Sequence, residues 1–325
     1  MYYFNLLSEN EKNIYKNILQ SIKLLRNRLS IAGDKKRALE IYEYVIMDNP
    51  HICYIDPVKA EWLDGIFHTE ICFNYLWPAK ECRDRQQKFD LKVASVAREL
   101  ELYTMEEEDK ELYIHDFITD TVQYDYGKNG EISYSAYGAL MNGAAVCQGI
   151  SALYKVFADK CSLNCILIRG WLKNNNSTVQ AENHQWNIVE VNGRYAHLDV
   201  TNDKNRLQGI KLYGKYNFTD TMAYEFGYSW NNKEFYPKCE ADELYYYRKR
   251  RMIVSSETEL RKFVSLRKKR KINIMLISRD YMILNECGCN KIIGIISSEI
   301  SKGMQYVKIQ CAYSIEGFFC YRVGE

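Results

Sequence analysis

At 325 residues the chain exceeds what one hydrophobic core commonly serves, and 47% hydrophobic residues, 26% charged residues and 4 prolines exclude a disordered composition. A formal net charge of +2 gives the molecule as a whole no electrostatic preference for nucleic acid or an acidic surface. No run approaches the ~18 apolar residues that a membrane span needs, and the start, MYYFNLLSENEKN, has neither the basic residues nor the apolar run of a secretory signal, so a cytoplasmic location is expected.

The 11 cysteines are odd in number and follow no regular framework. A chain of this size needs no disulfide staples, which points to reduced thiols in a reducing compartment. No two cysteines stand in C-x-x-C spacing: Cys161 and Cys165 are four apart, and Cys287 with Cys289 makes only C-x-C. No zinc site, other metal or cofactor is expected.

In chain order, Ser8 with Glu11 reads as a capping box, followed by Ile14, Ile18, Ile22 and Leu25 at helical spacing. Gly33 and Asp34 interrupt the pattern, and Lys35 to Val45 resumes it. From Asp48 to Trp77, Asn49-Pro50 and Asp56-Pro57 predict turns and short strands. Two further helices are predicted, from about Cys82 to Leu102 and from about Glu106 to Val122. His115 beside the second stripe is read as an ordinary core or surface residue. Gly127, Asn129 and Gly130 then mark a turn.

Beyond Asp203 a tyrosine-rich segment extends to Pro237 and reads as a packed wall over the central sheet. After Leu244, basic runs at Arg248 to Arg251 and Arg267 to Lys271 flank a helix that starts at Ser256 and Glu259. Strand-like runs follow at Ile272 to Ser278, Ile292 to Ser297 and Tyr306 to Ile315, giving a small α+β unit. The basic runs read as solvated flanks of elements that cover apolar surface, so no nucleic-acid partner is expected. The expected division is a mainly helical region over 1–105, a catalytic domain over 106–240 and the small α+β domain over 241–325.

The chemistry lies between Tyr134 and Asp203. Cys147 follows Asn142-Gly143-Ala144-Ala145 and precedes Ile150, Leu153, Tyr154 and Phe157, so its sulfur sits near a helix N-terminus. Unpaired N–H groups and the helix dipole favour a thiolate there, and the same N–H groups suit a developing oxyanion. A cysteine among apolar neighbours is more often inert filling. Small residues at 143, 144, 145, 149 and 151 leave room for a substrate or for a close backbone.

Asn192-Gly193 between alternating runs predicts a two-residue type I′ hairpin. Val191 then pairs with Arg194, and positions summing to 385 lie opposite one another, so Asp199 faces Trp186 and His184 faces Thr201. His184 and Asp199 become diagonal neighbours on one face, roughly 7–8 Å apart at the backbone and within reach of a ring and a carboxylate. The other face carries Val189, Val191, Ala196 and Leu198. In such a set a thiolate attacks an acyl carbon, an imidazole moves the proton, and a carboxylate fixes the imidazole. His197 on the same face and Asp203 beyond the strand rank below this pair.

SAYGALMNGAAVCQG followed by NHQWNIVEVNGRYAHLDVTND resembles the transglutaminase-like superfamily, particularly its bacterial branch, over about Glu106 to Pro237. That resemblance implies an α+β, papain-like core, with a cysteine-bearing helix packed on an antiparallel sheet. It implies Cys147 as nucleophile, His184 as base, Asp199 as orienting acid, and acyl transfer through a thioester. The paired C-x-x-C zinc ligands of the deglycosylating relatives are missing. Met141 stands where a papain-style glutamine would lie six residues before the cysteine, so Tyr137, Gln148 or a backbone N–H is left for the oxyanion and substrate side, with Trp186 alongside.

The reading is a cysteine-dependent enzyme acting on a peptide or side-chain amide of a peptide or protein substrate. Hydrolysis is expected, and transfer to an amine is left open. The alternative is a non-catalytic peptide or cell-wall binding module that keeps the fold.

Overall fold

Side chains that accept backbone N–H groups mark the first helix starts. Ser8 and Glu11 close the capping box that opens Glu9–Lys23, and Asp34 accepts the Arg37 N–H at 3.0 Å to open Lys35–Asp48. In this computed structural model the described residues are 1–325 without 33, 65–67, 128, 174–180, 205, 208, 268–271, 278–288, 302–307, 314–317 and 325. They form two units, Met1–Thr201 with Phe218–Ala241, and Asn202–Asn217 with Asp242–Glu325.

In the first unit the two N-terminal helices cover a three-stranded antiparallel sheet, with His68–Tyr75 between Arg28–Ala32 and Ile55–Asp64. Tyr15, Ile18, Ile22, Ile41, Val45 and Ile71 fill the space between them. The strands expected to be short between Asp48 and Trp77 are long ones, Ile55–Asp64 and His68–Tyr75. Thr69, Ile71 and Phe73 are the buried alternate positions of one strand. Pro57, read as a break, lies where the other strand shifts register between Ile55 and Ala60, a place that tolerates a missing N–H.

Helices Ala79–Glu99 and Glu107–Thr121 match the two expected amphipathic stretches to within a few residues. The helix Cys147–Lys160 is buried on every face from Gly149 to Ala158, with Ile150, Leu153, Tyr154 and Phe157 at helical spacing. It packs on a five-stranded sheet in the order Tyr216–Phe218, Arg194–Leu198, Glu182–Val191, Cys165–Leu172, Tyr228–Ser229. Polar contacts set the helix on the sheet: Asn187 Nδ2 donates to the Ser151 carbonyl at 3.1 Å, and Gln185 Nε2 to Ser151 Oγ at 2.9 Å. The hairpin has the expected register, Val191 opposite Arg194 through Asn187 opposite Leu198. Asn192 and Gly193 take φ of 52° and 75°, as a type I′ turn requires.

The second unit contains a four-stranded sheet in the order Ile253–Val254, Ile272–Ile277, Phe318–Gly324, Lys308–Tyr313, with helices Glu257–Arg267 and Cys289–Ser301. Ile292 to Ser297, expected as a strand, belongs to the second helix. Its buried residues Ile292, Ile295, Ile296 and Ile300 recur at helical spacing. Arg248 pairs with Asp242 at 2.6 Å and Arg250 lies over the Tyr246 ring at 3.8 Å, whereas 268–271 of the second basic run, like Asn174 to Asn176, fall outside the described residues. No helix among the described residues is long and apolar enough to cross a membrane.

Candidate active site

Cys147 is the first residue of its helix, with Val146 as N-cap. Backbone bonds fix the approach to it. The Val146 N–H donates to the Ser133 carbonyl at 3.1 Å, and the Asp125 N–H to the Ala145 carbonyl at 3.0 Å. Gly149 explains one of the small residues noted in the sequence: a Cβ there would lie 2.5 Å from the Ser133 carbonyl oxygen and 2.8 Å from both Ala145 Cβ and the Ser135 carbonyl oxygen. The space is filled by neighbouring backbone and not left for substrate.

His184 projects from Glu182–Val191, and Asp199 follows Leu198, the last residue of its strand. The pair meets closely, with His184 Nε2 2.7 Å from Asp199 Oδ2. Cys147 lies close enough to His184 to favour its protonated ring. Since Nε2 is taken by Asp199, Nδ1 is the ring atom left for the sulfur. Gln185, the next residue, bonds Ser151 Oγ and the Gln148 carbonyl of the cysteine helix, at 2.9 and 3.3 Å, and so holds helix and histidine strand in register. Arg169 Nε donates to Gln185 Oε1 at 2.8 Å and fixes which end of the amide faces the helix.

Three donors converge on Asp199. His184 and the Tyr228 hydroxyl, at 2.6 Å, both bond Oδ2, and the Thr201 N–H bonds Oδ1 at 3.0 Å. The carboxylate is 1% exposed, so these bonds replace its water shell. Burial pulls the His184 pKa down, but the Asp199 charge and hydrogen bond, with a contribution from nearby Cys147, outweigh it and hold the value up at about 10. The imidazolium is the stable form near neutrality. By contrast, burial pushes the Cys53 and Cys165 thiols up to about 12, which keeps them protonated. Cys147 is half-buried, and it is a free thiol, as are Cys53, Cys72, Cys82, Cys161, Cys165, Cys239 and Cys320.

The raised His184 value makes a stability prediction. The folded state binds this proton more tightly than an ordinary imidazole of pKa 6.5, so the stabilisation is fully present below pH 6.5 and is lost as pH rises through about 10. Thermal unfolding followed from pH 6.5 to 10 is expected to show a falling midpoint, and the fall to shrink in His184→Gln.

Aromatic rings enclose the pair. Trp186, fully buried, stacks on His184 with centroids 5.9 Å apart and planes at 17°, and Tyr228 meets Trp186 edge-on at 5.1 Å. The indole N–H of Trp186 donates to His197 Nδ1 at 3.1 Å. It is thus committed inside the fold, and what Trp186 offers the site is its ring face. Tyr137 is buried, takes a hydrogen bond from Arg85 at 3.0 Å and packs against Trp77 and Phe89. Gln148 Nε2 reaches the Pro57 carbonyl at 3.5 Å. The structure therefore brings Cys147, His184, Asp199 and Trp186 together, and places Tyr137 and Gln148 among other partners.

Sequence reasoning did not single out Tyr228, Gln185, or the role of His197. Tyr228 lay in the aromatic segment read as packing. The usable signal there was its alternation with Phe226 and Trp230, which marks an edge strand. His197 Nε2 contacts Asp220 Oδ1 at 2.8 Å, and with Cys239 these residues bring three ligand-type atoms within 4.8 Å of one another. An indole N–H only donates, so His197 Nδ1 is an acceptor and its single proton lies on Nε2, facing Asp220. A metal on Nε2 would move that proton to Nδ1, against the Trp186 N–H. The cluster is built as a hydrogen-bond chain and fits a metal poorly.

Residues 94–200 match the model of the transglutaminase-like superfamily, and that stretch of the chain is a transglutaminase-like domain. The chain is similar to a candidate cysteine protease from Cytophaga hutchinsonii at 14% identity, covering 45% of this chain and 62% of that one, with a TM-score of 0.30. It is also similar to a TGase at 10% identity, with 62% and 56% covered and a TM-score of 0.33. A candidate protease from Parabacteroides distasonis gives 14%, 44% and 35%, with a TM-score of 0.26. The chain thus spans less than two thirds of the length of these proteins. No curated protein matches it.

Proposed function

We propose that the protein is a cysteine-dependent acyl-transfer enzyme acting on a peptide or side-chain amide, with Cys147 as nucleophile, His184 as proton carrier and Asp199 as the acid that orients it. The observation that carries this reading is the His184–Asp199 contact of 2.7 Å, on a histidine near enough to Cys147 for the sulfur to favour its protonated form. In the reaction the Cys147 sulfur attacks the amide carbon and forms a C–S bond. The C–N bond then breaks as the His184 imidazolium gives its proton to the leaving amine, and a thioester remains. Neutral His184 next takes a proton from water or from a second amine, which attacks the thioester; the C–S bond breaks, the acyl group leaves on the new nucleophile, and the sulfur and imidazolium regain their starting state. Backbone N–H groups at the start of the cysteine helix suit the oxyanion.

Hydrolysis is the proposed main outcome, with amine transfer as a competing one. Mass spectrometry of mixed peptides incubated with the enzyme, with and without an added primary amine, separates the two. Hydrolysis gives products heavier by water whatever amine is present, whereas transfer gives amine adducts. A trapped acyl group mapped to a residue other than Cys147 would refute the nucleophile assignment.

A further inference from the structure

Behind the Trp186 ring runs a hydrogen-bond chain with no part in the proton transfers just described. Asp220 Oδ1 faces His197 Nε2 at 2.8 Å, His197 Nδ1 accepts the Trp186 N–H at 3.1 Å, and the indole face lies against His184. We propose that His197 and Asp220 are positioning residues for His184, acting through Trp186. The proposal rests on the reading of His184 as the proton carrier.

An imidazole that must address Asp199 through Nε2 and a sulfur through Nδ1 has to keep one ring plane, and an error of about 1 Å in such an arrangement costs on the order of 100-fold in rate. Asp199 holds one end of the ring and leaves it free to rock about that bond. The stacked indole removes this freedom, provided that the indole cannot turn. Apolar packing alone resists turning weakly, since an indole slides in its plane at small cost. The N–H bond to His197 sets the in-plane angle, and a carboxylate behind the histidine strengthens Nδ1 as an acceptor.

The construction supports this purpose. His197 is completely buried, with its ring against Phe218 at 5.2 Å and Trp230 at 5.0 Å, so its plane is fixed as well. Asp220 is held in turn, because its Oδ2 accepts the Cys239 N–H at 3.2 Å and its own N–H bonds the Cys239 carbonyl at 2.8 Å. A buried histidine needed only to fill space would be better replaced by an apolar residue. Here each polar atom of the ring has a partner, and the chain ends on the face of the histidine that matters.

The test is the rate at which iodoacetamide alkylates Cys147, followed by peptide mapping across pH in full-length protein. His197→Leu keeps the volume and removes the acceptor; it is expected to slow alkylation about tenfold and to shift the pH at which the rate changes. In His197→Gln one amide accepts from Trp186 and donates to Asp220, so the rate is expected to return to within about twofold of wild type. The Trp186 indole N–H resonance should move upfield in His197→Leu and hold in His197→Gln. If His197→Leu does not fold, Asp220→Ala at the partly exposed end of the chain is expected to move the rate and the resonance in the same direction.

Wild-type rates in folded His197→Leu or Asp220→Ala would overturn the proposal, as would a glutamine variant as slow as the leucine variant. Zinc retained by His197, Asp220 and Cys239 would overturn it too, because it demands the other tautomer. His184→Gln separates the two levels of argument: if it alkylates at the wild-type rate and pH dependence, the acyl-transfer reading itself fails. A slowed His184→Gln beside an unchanged His197→Leu fails the positioning chain alone.

Discussion

Cys147→Ala is expected to lose all labelling by a thiol-directed acyl probe, and Asp199→Asn to lower turnover by on the order of 10⁴ with the fold intact. The asparagine result is the more informative one, because it follows from counting donors. His184 Nε2–H, the Tyr228 hydroxyl and the Thr201 N–H all point at the carboxylate. Asparagine has one oxygen, so its NH₂ must face at least one of these donors. If the oxygen stays with Thr201, the NH₂ faces His184. The ring must then surrender its Nε2 proton, carry its remaining proton on Nδ1 toward Cys147, and cease to be a base there. If the amide flips, Thr201 loses its bond and the imidazolium still loses its counter-charge. Either way the cause of the His184 pKa of about 10 is gone, and burial then favours the neutral ring. Steady-state rates and the pH profile check this together. A variant within about tenfold of wild type, with an unchanged alkaline limb, would show that Asp199 does not orient the base.

The hairpin was legible because its determinants are local. Asn192-Gly193 dictates a turn with positive φ at two residues, the turn dictates the register, and the register puts His184 near Asp199. Cys147 was legible for a similar reason, since Ile150, Leu153, Tyr154 and Phe157 recur at helical spacing just after it, although the helix is buried on every face from Gly149 to Ala158. The residues that complete the site come from far along the chain. Tyr228 reaches Asp199 from the opposite edge of the sheet, next to Cys165–Leu172, and Asp220 reaches His197 from a short helix. Aromatic spacing alone does not say which hydroxyl turns inward. His197 ranks low from sequence because it lies further along the strand, opposite Ile188, and no sequence pattern shows that the Trp186 N–H reaches it. In the second unit the apolar run from Ile292 was short enough to pass for a strand, and its helical period emerges only when Ile300 is counted.

Gly149→Ala is expected to damage the turn that carries the nucleophile by steric overlap alone. Gly149 needs no special backbone angle, so the effect is purely one of space. Its Cβ would stand 2.5 Å from the Ser133 carbonyl oxygen and 2.8 Å from the Ser135 oxygen, where ordinary contact begins at 3.4 Å. Both obstacles are backbone atoms, and the Ser133 oxygen already accepts the Val146 N–H, so neither can swing aside as a side chain would. The first turn of the helix must therefore lift away from 133–135 by most of an ångström. Overpacking of this kind costs roughly 1–3 kcal/mol or more. Cys147 sits two residues earlier in the same turn and is carried with it, while His184 stays on the sheet. The expected result is a lowered melting temperature together with a loss of acylation on the order of 100-fold, larger than the loss of stability would produce while the protein remains folded. If Gly149→Ala melts lower but acylates at the wild-type rate, the sulfur does not depend on the position of that turn, and the geometry proposed for the nucleophile is wrong.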